Sequence, residues 1–190
     1  RSKRAIIVFS LFAIFSGLFA VENLFSFSIG PQSGLVFYGD KDIKEDVKTL
    51  HGSHALVGAQ AEVNVNPFKQ ITFFAGAHIL CDFVKENKNY SNHIHYDFPF
   101  GVKIYPGLGG LCGGMAYTFG MRYDNVQMPE TSPYTGNSSW GNGFKFLLEY
   151  NFAHDFKSHI LPTIGVSWKH IPRGNKTSDN MISAYVLLNL

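Results

Sequence analysis

The chain has 190 residues, 45% hydrophobic and 15% aromatic but only 16% charged. That length suits one domain, and a mean hydropathy of −0.01 is too polar for a bundle of membrane helices. With 16 Lys and Arg against 14 Asp and Glu, there is no basic surface on which to expect nucleic acid.

The first element in chain order reads as an export signal. Arg1, Lys3 and Arg4 precede an uncharged, mostly apolar run from Ala5 to Phe19, and Ser16, Gly17 and Ala20 supply small residues for cleavage after Ala20. A retained anchor helix is the alternative, but the run falls short of the roughly 20 residues a span needs. No Cys follows the cleavage region, so a lipid anchor is not expected. Residues 1–20 are therefore read as a signal peptide and 21–190 as one domain. Removing the signal leaves 13 basic and 14 acidic residues, a net charge of −1. No later apolar run is long enough to cross a membrane as a helix.

Eight stretches of two-residue alternation follow, at about 24–38, 52–66, 69–84, 94–105, 110–125, 142–153, 158–170 and 179–190. The connections 39–51, 85–93, 126–141 and 171–178 are long and polar. Those at 67–68, 106–109 and 154–157 are short and carry Pro, Gly or Asp. Alternating long and short connections are the pattern of outer-membrane barrels, with both termini on the short-turn side.

One face of each stretch is apolar or small. The second gives Ala55, Val57, Ala59, Ala61, Val63 and Val65; the fourth gives Tyr96, Phe98, Phe100, Val102 and Ile104; the sixth gives Phe144, Phe146, Leu148, Tyr150 and Phe152. The opposite faces carry Glu62, Asp82, Asp97, Lys103, Arg122, Lys145, Glu149 and Lys169. A lipid-facing Lys or Arg at the bilayer centre costs about 2–4 kcal/mol. The four bases alone would cost about 8–16 kcal/mol, as much as the roughly 5–15 kcal/mol that stabilises a typical domain, and the four acids would add to it. The charged face must therefore line the lumen. A soluble lipocalin-like barrel is the rival, but it would have to pack all the large apolar groups into an interior that eight strands barely fill.

The expected fold class is all-β: an eight-stranded antiparallel up-and-down transmembrane β-barrel. Aromatic girdles are expected from Tyr38, Phe83, Tyr96, Tyr123, Phe144 and Trp168 at the long-loop end, and from Phe25, Phe68, Tyr105, Phe152 and Phe156 at the other.

Chain direction sorts the eight lumen charges into two layers. Asp82, Asp97, Arg122, Lys145 and Lys169 fall towards the loops; Glu62, Lys103 and Glu149 fall towards the termini. Four acids and four bases in so narrow a space should pair, because unpaired buried charge is costly. The expectation is an ion-paired plug; loose pairing in lumenal water is the alternative. Leu56, Phe74 and Leu80 are the apolar lumen residues through which a small hydrophobic solute would be sensed.

Other motifs carry little. Gly107 to Gly114 is glycine-rich but lacks the Lys-Ser/Thr of a phosphate loop. His51-Gly52-Ser53-His54 lacks a third catalytic member, and His93 and His95, which with His51 and His54 could gather at the outer rim around a metal, read instead as solvated. No enzyme activity, catalytic residue, cofactor or metal is expected. Cys81 and Cys112 face opposite sides near opposite ends, so two free thiols are expected.

In strand layout, residues 21–190 resemble the small eight-stranded outer-membrane barrels of the OmpW, OmpX and OmpA-barrel type, closest to the OmpW-like barrels of spirochaetes. The terminal segment Tyr185-Val-Leu-Leu-Asn-Leu190 keeps the alternation but ends in Leu, where such barrels commonly end in an aromatic residue read by the outer-membrane assembly machinery. The resemblance implies a bacterial outer-membrane location and a role in adhesion, in passage of hydrophobic solutes, or in envelope structure. The exposed loops point to recognition of a host or neighbouring macromolecule; a narrow channel or binding site for small hydrophobic solutes is the alternative.

Overall fold

A computed structural model describes residues 24–129, 132–154, 161–174 and 177–190. The expected signal peptide, Phe156 and the start of the seventh stretch lie outside the described residues. The chain forms β1 (Phe25–Tyr38), α1 (Lys41–Thr49), β2 (Ser53–Phe68), β3 (Ile71–Glu86), β4 (Asn89–Ile104), β5 (Leu111–Gln127), β6 (Tyr134–Asn137), β7 (Gly141–Asn151), β8 (Pro162–Gly174) and β9 (Thr177–Asn189).

Every neighbouring pair is antiparallel, and β1 closes the sheet on β9, with Phe37 opposite Asn180 and Ile29 opposite Leu188. The short β6 and the longer β7 both pair with β5, at Tyr123–Val126 and Leu111–Gly120 respectively. They form one interrupted stave, so nine strands make a closed eight-stave barrel. Both ends of the described chain lie at one rim, where Leu190 N–H donates to Phe27 O at 2.8 Å. No helix among the described residues is long and apolar enough to cross a membrane, and closure satisfies the backbone without one.

Burial is inverted relative to a soluble domain. Among the described residues 31 large hydrophobic side chains are exposed, including Phe73, Phe100, Met115, Phe146, Leu148 and Val166. Each would gain about 1.5–3 kcal/mol by leaving water, so this outer surface is built for lipid. Among the described residues, apolar packing inside centres on two small groups, Phe74–Ala116–Leu147 and Leu80–Ile171–Met181, with Val84, Val126 and Leu187 buried beside them. Much of the remaining interior is polar.

The ladders run further at the loop end than the alternation predicts. Residues 85–93 are no long loop: Glu86 pairs with Asn89 around the two-residue turn Asn87-Lys88, and Asn87 takes φ 55°, a left-handed conformation that Asn tolerates. Strand β8 likewise reaches Gly174, and β9 starts at Thr177. The physical reason is that outward residues above the bilayer need not be apolar, so a strand there loses its alternation without losing its hydrogen bonds.

The connection 39–51 contains α1. Asp40 caps it, its carboxylate accepting from Asp42 N–H at 3.1 Å. Ile43, Asp46, Val47 and Leu50 recur at helical spacing; Ile43 and Leu50 are buried, and the helix rests on β1 and β4 at the loop end.

Two girdle assignments are corrected. Tyr38 and Tyr105 are buried and face inwards, Tyr38 because its hydroxyl donates to Asp82 at 2.6 Å, Tyr105 because it meets Asn151. Trp140, beyond the expected strand, instead stacks with Phe98 and lies against Phe119 on the outer face.

Candidate functional site

The lumen is the candidate site, and its chemistry is layered. Each inward residue comes from a β-strand on which alternate side chains point the same way, so one residue per two positions enters the barrel. All eight charged residues expected there are buried.

At the terminal end Lys103 on β4 bridges two carboxylates, with Nζ 2.7 Å from Glu62 on β2 and 2.9 Å from Glu149 on β7. Tyr185 on β9 donates its hydroxyl to Glu149 at 2.7 Å. Lys145 lies 3.5 Å from Glu62 and stands over the rings of Phe74 and Tyr185. Lys145 therefore belongs to the terminal layer, not to the loop layer assigned by chain direction; its long stem carries the ammonium away from its Cα.

In the middle, Lys169 on β8 reaches Asp97 on β4 at 2.6 Å, and Thr118 lies 3.5 Å from the same carboxylate. His78 stands between the layers, 3.5 Å from both Glu62 and Asp97.

The loop end is the most connected. Asp82 accepts from Tyr38 and contacts His54 Nε2, each at 2.6 Å. Arg122 contacts Asp124 at 2.6 Å and Asp179 at 2.7 Å, and Arg173 joins Asp179 at 2.9 Å. His93 Nδ1 lies 2.7 Å from Asp124, and His93 Nε2 lies 2.7 Å from Ser91 Oγ. Asp82, Asp97 and Arg122, on three consecutive strands, thus each take a separate partner. Above this layer burial holds the Asp46 carboxyl of α1 over the ordinary carboxylate range, with neighbouring acids adding to the rise and His93 opposing it.

Asp124, Arg173, Asp179, His78, His93 and His95 are lumen residues absent from the expected set. The described lumen holds six buried acids and five buried bases, a balance with one acid in excess. Parity alone places Asp124 beside outward Tyr123, and His78 beside outward Ala77 and Ile79. Arg173, Ser91 and His93 were hidden by the polar stretches taken for loops. His93 and His95 are fully buried rather than solvated. Cys81 and Cys112 are both free, with Cys112 inside, 3.6 Å from Glu149.

No family model matches the chain, and no curated protein matches it. Among solved structures the chain is similar to Ail, the attachment invasion locus protein of Yersinia pestis, at 10% identity and a TM-score of 0.54, over 87% of this chain and 97% of that one. The chain shares a small closed barrel fold with Ail. A second Ail structure, in complex with the heparin analogue sucrose octasulfate, matches at 9% identity and a TM-score of 0.53 over the same shares. The N-terminal β-barrel domain of Pseudomonas aeruginosa OprF aligns over 87% of this chain and 97% of its own at 12% identity, with a TM-score of 0.47.

Proposed function

We propose that this chain is an integral bacterial outer-membrane barrel whose lumen is closed by ion pairs and whose loop end mediates recognition or adhesion. The observation that carries this reading is Lys103 held between Glu62 and Glu149. With Lys169 on Asp97 above it, opposite charges span the bore at two depths. A bore crossed by paired side chains leaves the surface at the loop end as the place where a partner can act. That surface is charged: Lys41, Asp42, Lys44, Glu45 and Lys48 of α1 are exposed. In strand layout the chain stands with the OmpW-like barrels, and export by a signal peptide and insertion by the assembly machinery belong to the same reading.

Two measurements test it. In planar bilayers the refolded chain should give no large, steady, ion-permeable channel; such channels would overturn the plug. On immobilised heparin, whose analogue sucrose octasulfate is bound in the second Ail structure, the wild-type barrel should be retained. Replacing residues 128–133 by a Gly-Ser linker, or α1 by one, should remove that binding while the barrel stays folded. Binding that survives both replacements would overturn the assignment to the loops.

A second reading has its own observation. An open groove of about 720 Å³ lies against the barrel wall, and Val57, Leu148, Ile164, Val166 and Val186 in its lining are outward, exposed residues. It would suit a small apolar solute held at the wall of the barrel. Phe74 and Leu80, by contrast, are locked into the inner packing groups. Displacement of a bound apolar fluorophore by Val57→Trp, with no effect of Leu80→Val, would favour this reading; no fluorophore binding would remove it.

A further inference from the structure

Ser91, His93 and Asp124 stand in an order that the closed, ion-paired barrel does not require. Ser91 and His93 are two apart on β4 and face inwards together, and Asp124 is the cross-strand partner of His93 on β5. His93 Nδ1 lies 2.7 Å from the Asp124 carboxylate, which only accepts, so Nδ1 carries the proton. Nε2 is then free to accept, and the Ser91 hydroxyl lies 2.7 Å from it. A nucleophilic hydroxyl on one imidazole nitrogen and an orienting carboxylate on the other is the arrangement that activates serine. Arg122, 2.6 Å from the same Asp124 oxygen, fixes the carboxylate as the charged, accepting member. One ring nitrogen of a merely structural buried histidine could have met any donor or acceptor; here each nitrogen meets the group that its catalytic role needs.

Both Ser91 and His93 are fully buried, so substrate cannot reach them as the structure stands. What lies above them is α1. Ile43 and the C-capping Leu50 are buried, the helix touches β1 and β4, and the Asp46 carboxyl is close enough to feel His93. The helix meets β1 and β4 without the ladder of backbone hydrogen bonds that holds each strand to its neighbours, so it is the element most easily lifted.

We propose that Ser91, His93 and Asp124 form a carboxylic-ester hydrolase site at the loop end of the lumen, closed by α1. In the first half-reaction Ser91 Oγ bonds to the ester carbonyl carbon and its proton moves to His93 Nε2. The tetrahedral adduct breaks its ester C–O bond, and the leaving alkoxide takes that proton as an alcohol. Water then adds to the acyl carbon while passing a proton to Nε2. The C–Oγ bond breaks, Ser91 recovers its proton, and the carboxylic acid departs. Ester and water give acid and alcohol, with no other reactant.

The refolded barrel should be treated with a fluorophosphonate probe and with p-nitrophenyl acetate, as wild type and with α1 unseated by Ile43→Asp and Leu50→Asp. The unseated barrel should be labelled at Ser91, at least tenfold more than wild type. Adding Ser91→Ala should abolish the labelling, and adding His93→Ala should lower ester hydrolysis by roughly 10²–10⁴-fold. If the double variant fails to give a heat-modifiable band, the helix is instead excised after folding at protease sites flanking residues 41–49. A folded barrel with its helix unseated or removed that neither labels at Ser91 nor outpaces its Ser91→Ala counterpart overturns the site. Labelling at Ser91 that is equal with and without the helix overturns the closure by α1.

Discussion

Replacing Lys103 by Met interrogates the lumen most sharply. In the folded barrel Lys103 is buried and neutralises part of two buried carboxylates, Glu62 at 2.7 Å and Glu149 at 2.9 Å. The substitution leaves the two acids unequal. Glu62 keeps the Lys145 ammonium at 3.5 Å. Among the described residues the hydrogen-bond donors left to Glu149 are neutral, the Tyr185 hydroxyl at 2.7 Å and the Cys112 thiol at 3.6 Å. Removing one partner of a buried pair costs about 3–5 kcal/mol, because the other charge is stranded. The loss should therefore sit mostly on Glu149, and adding Glu149→Gln should recover most of it, since Glu62 and Lys145 then remain as a balanced pair. The assay is reversible urea unfolding of the barrel in lipid vesicles, followed by the fluorescence of its two tryptophans. If Lys103→Met unfolds within about 0.5 kcal/mol of wild type, the size of an ordinary surface substitution, then water fills the lumen and screens these charges, and the ion-paired plug is wrong.

Three further outcomes follow from the same structure. Val166→Arg, on the outer face where Val166 is 51% exposed, should cost about 2–4 kcal/mol in the same titration; a neutral result would mean that this face does not meet lipid. Tyr38→Phe should cost about 1.5–3 kcal/mol by leaving Asp82 with His54 alone, measured against the charged bond it removes. Docking of α1 should depend on pH through Asp46. Its folded-state pKa is raised, so its contribution is fully present below the unfolded value and is lost as pH rises through the folded one. At neutral pH Asp46→Asn should therefore slow protease cleavage within residues 41–49, and faster cleavage would contradict the burial assigned to it.

The barrel was legible because lipid and lumen impose opposite demands on neighbouring residues. Phe98 and Phe100 bracket Pro99, and Met121 and Tyr123 flank Arg122; only an inside-out sheet accommodates both patterns. The alternation stopped being informative where the bilayer stops. Lys85, Glu86, Asn89 and Tyr90 continue the β3–β4 ladder with no apolar face to advertise it. For the same reason the sequence around Ser91 and His93 reads as a loop. Tyr38 illustrates a different failure. Its parity, between outward Phe37 and the start of the loop, marks it as inward, but its aromatic ring suggested the interface. Helix α1 was written in the spacing of Ile43, Val47 and Leu50 behind the capping Asp40, and was masked by the charges between them. Which acid pairs with which base could not be read at all. Long stems such as that of Lys145 span more than one layer, and partners from non-adjacent staves, as with Arg122 and Asp179, meet only once the barrel is closed.

The central claim is that the apolar face looks outward into lipid. Trp168 tests it directly, because it lies on that face and is 41% exposed. In a Trp140→Phe barrel it is the single remaining tryptophan. In vesicles its fluorescence should be quenched by lipids brominated on their acyl chains and should be largely indifferent to iodide in the water. Strong quenching by iodide with none by the brominated lipids would turn the barrel the other way round.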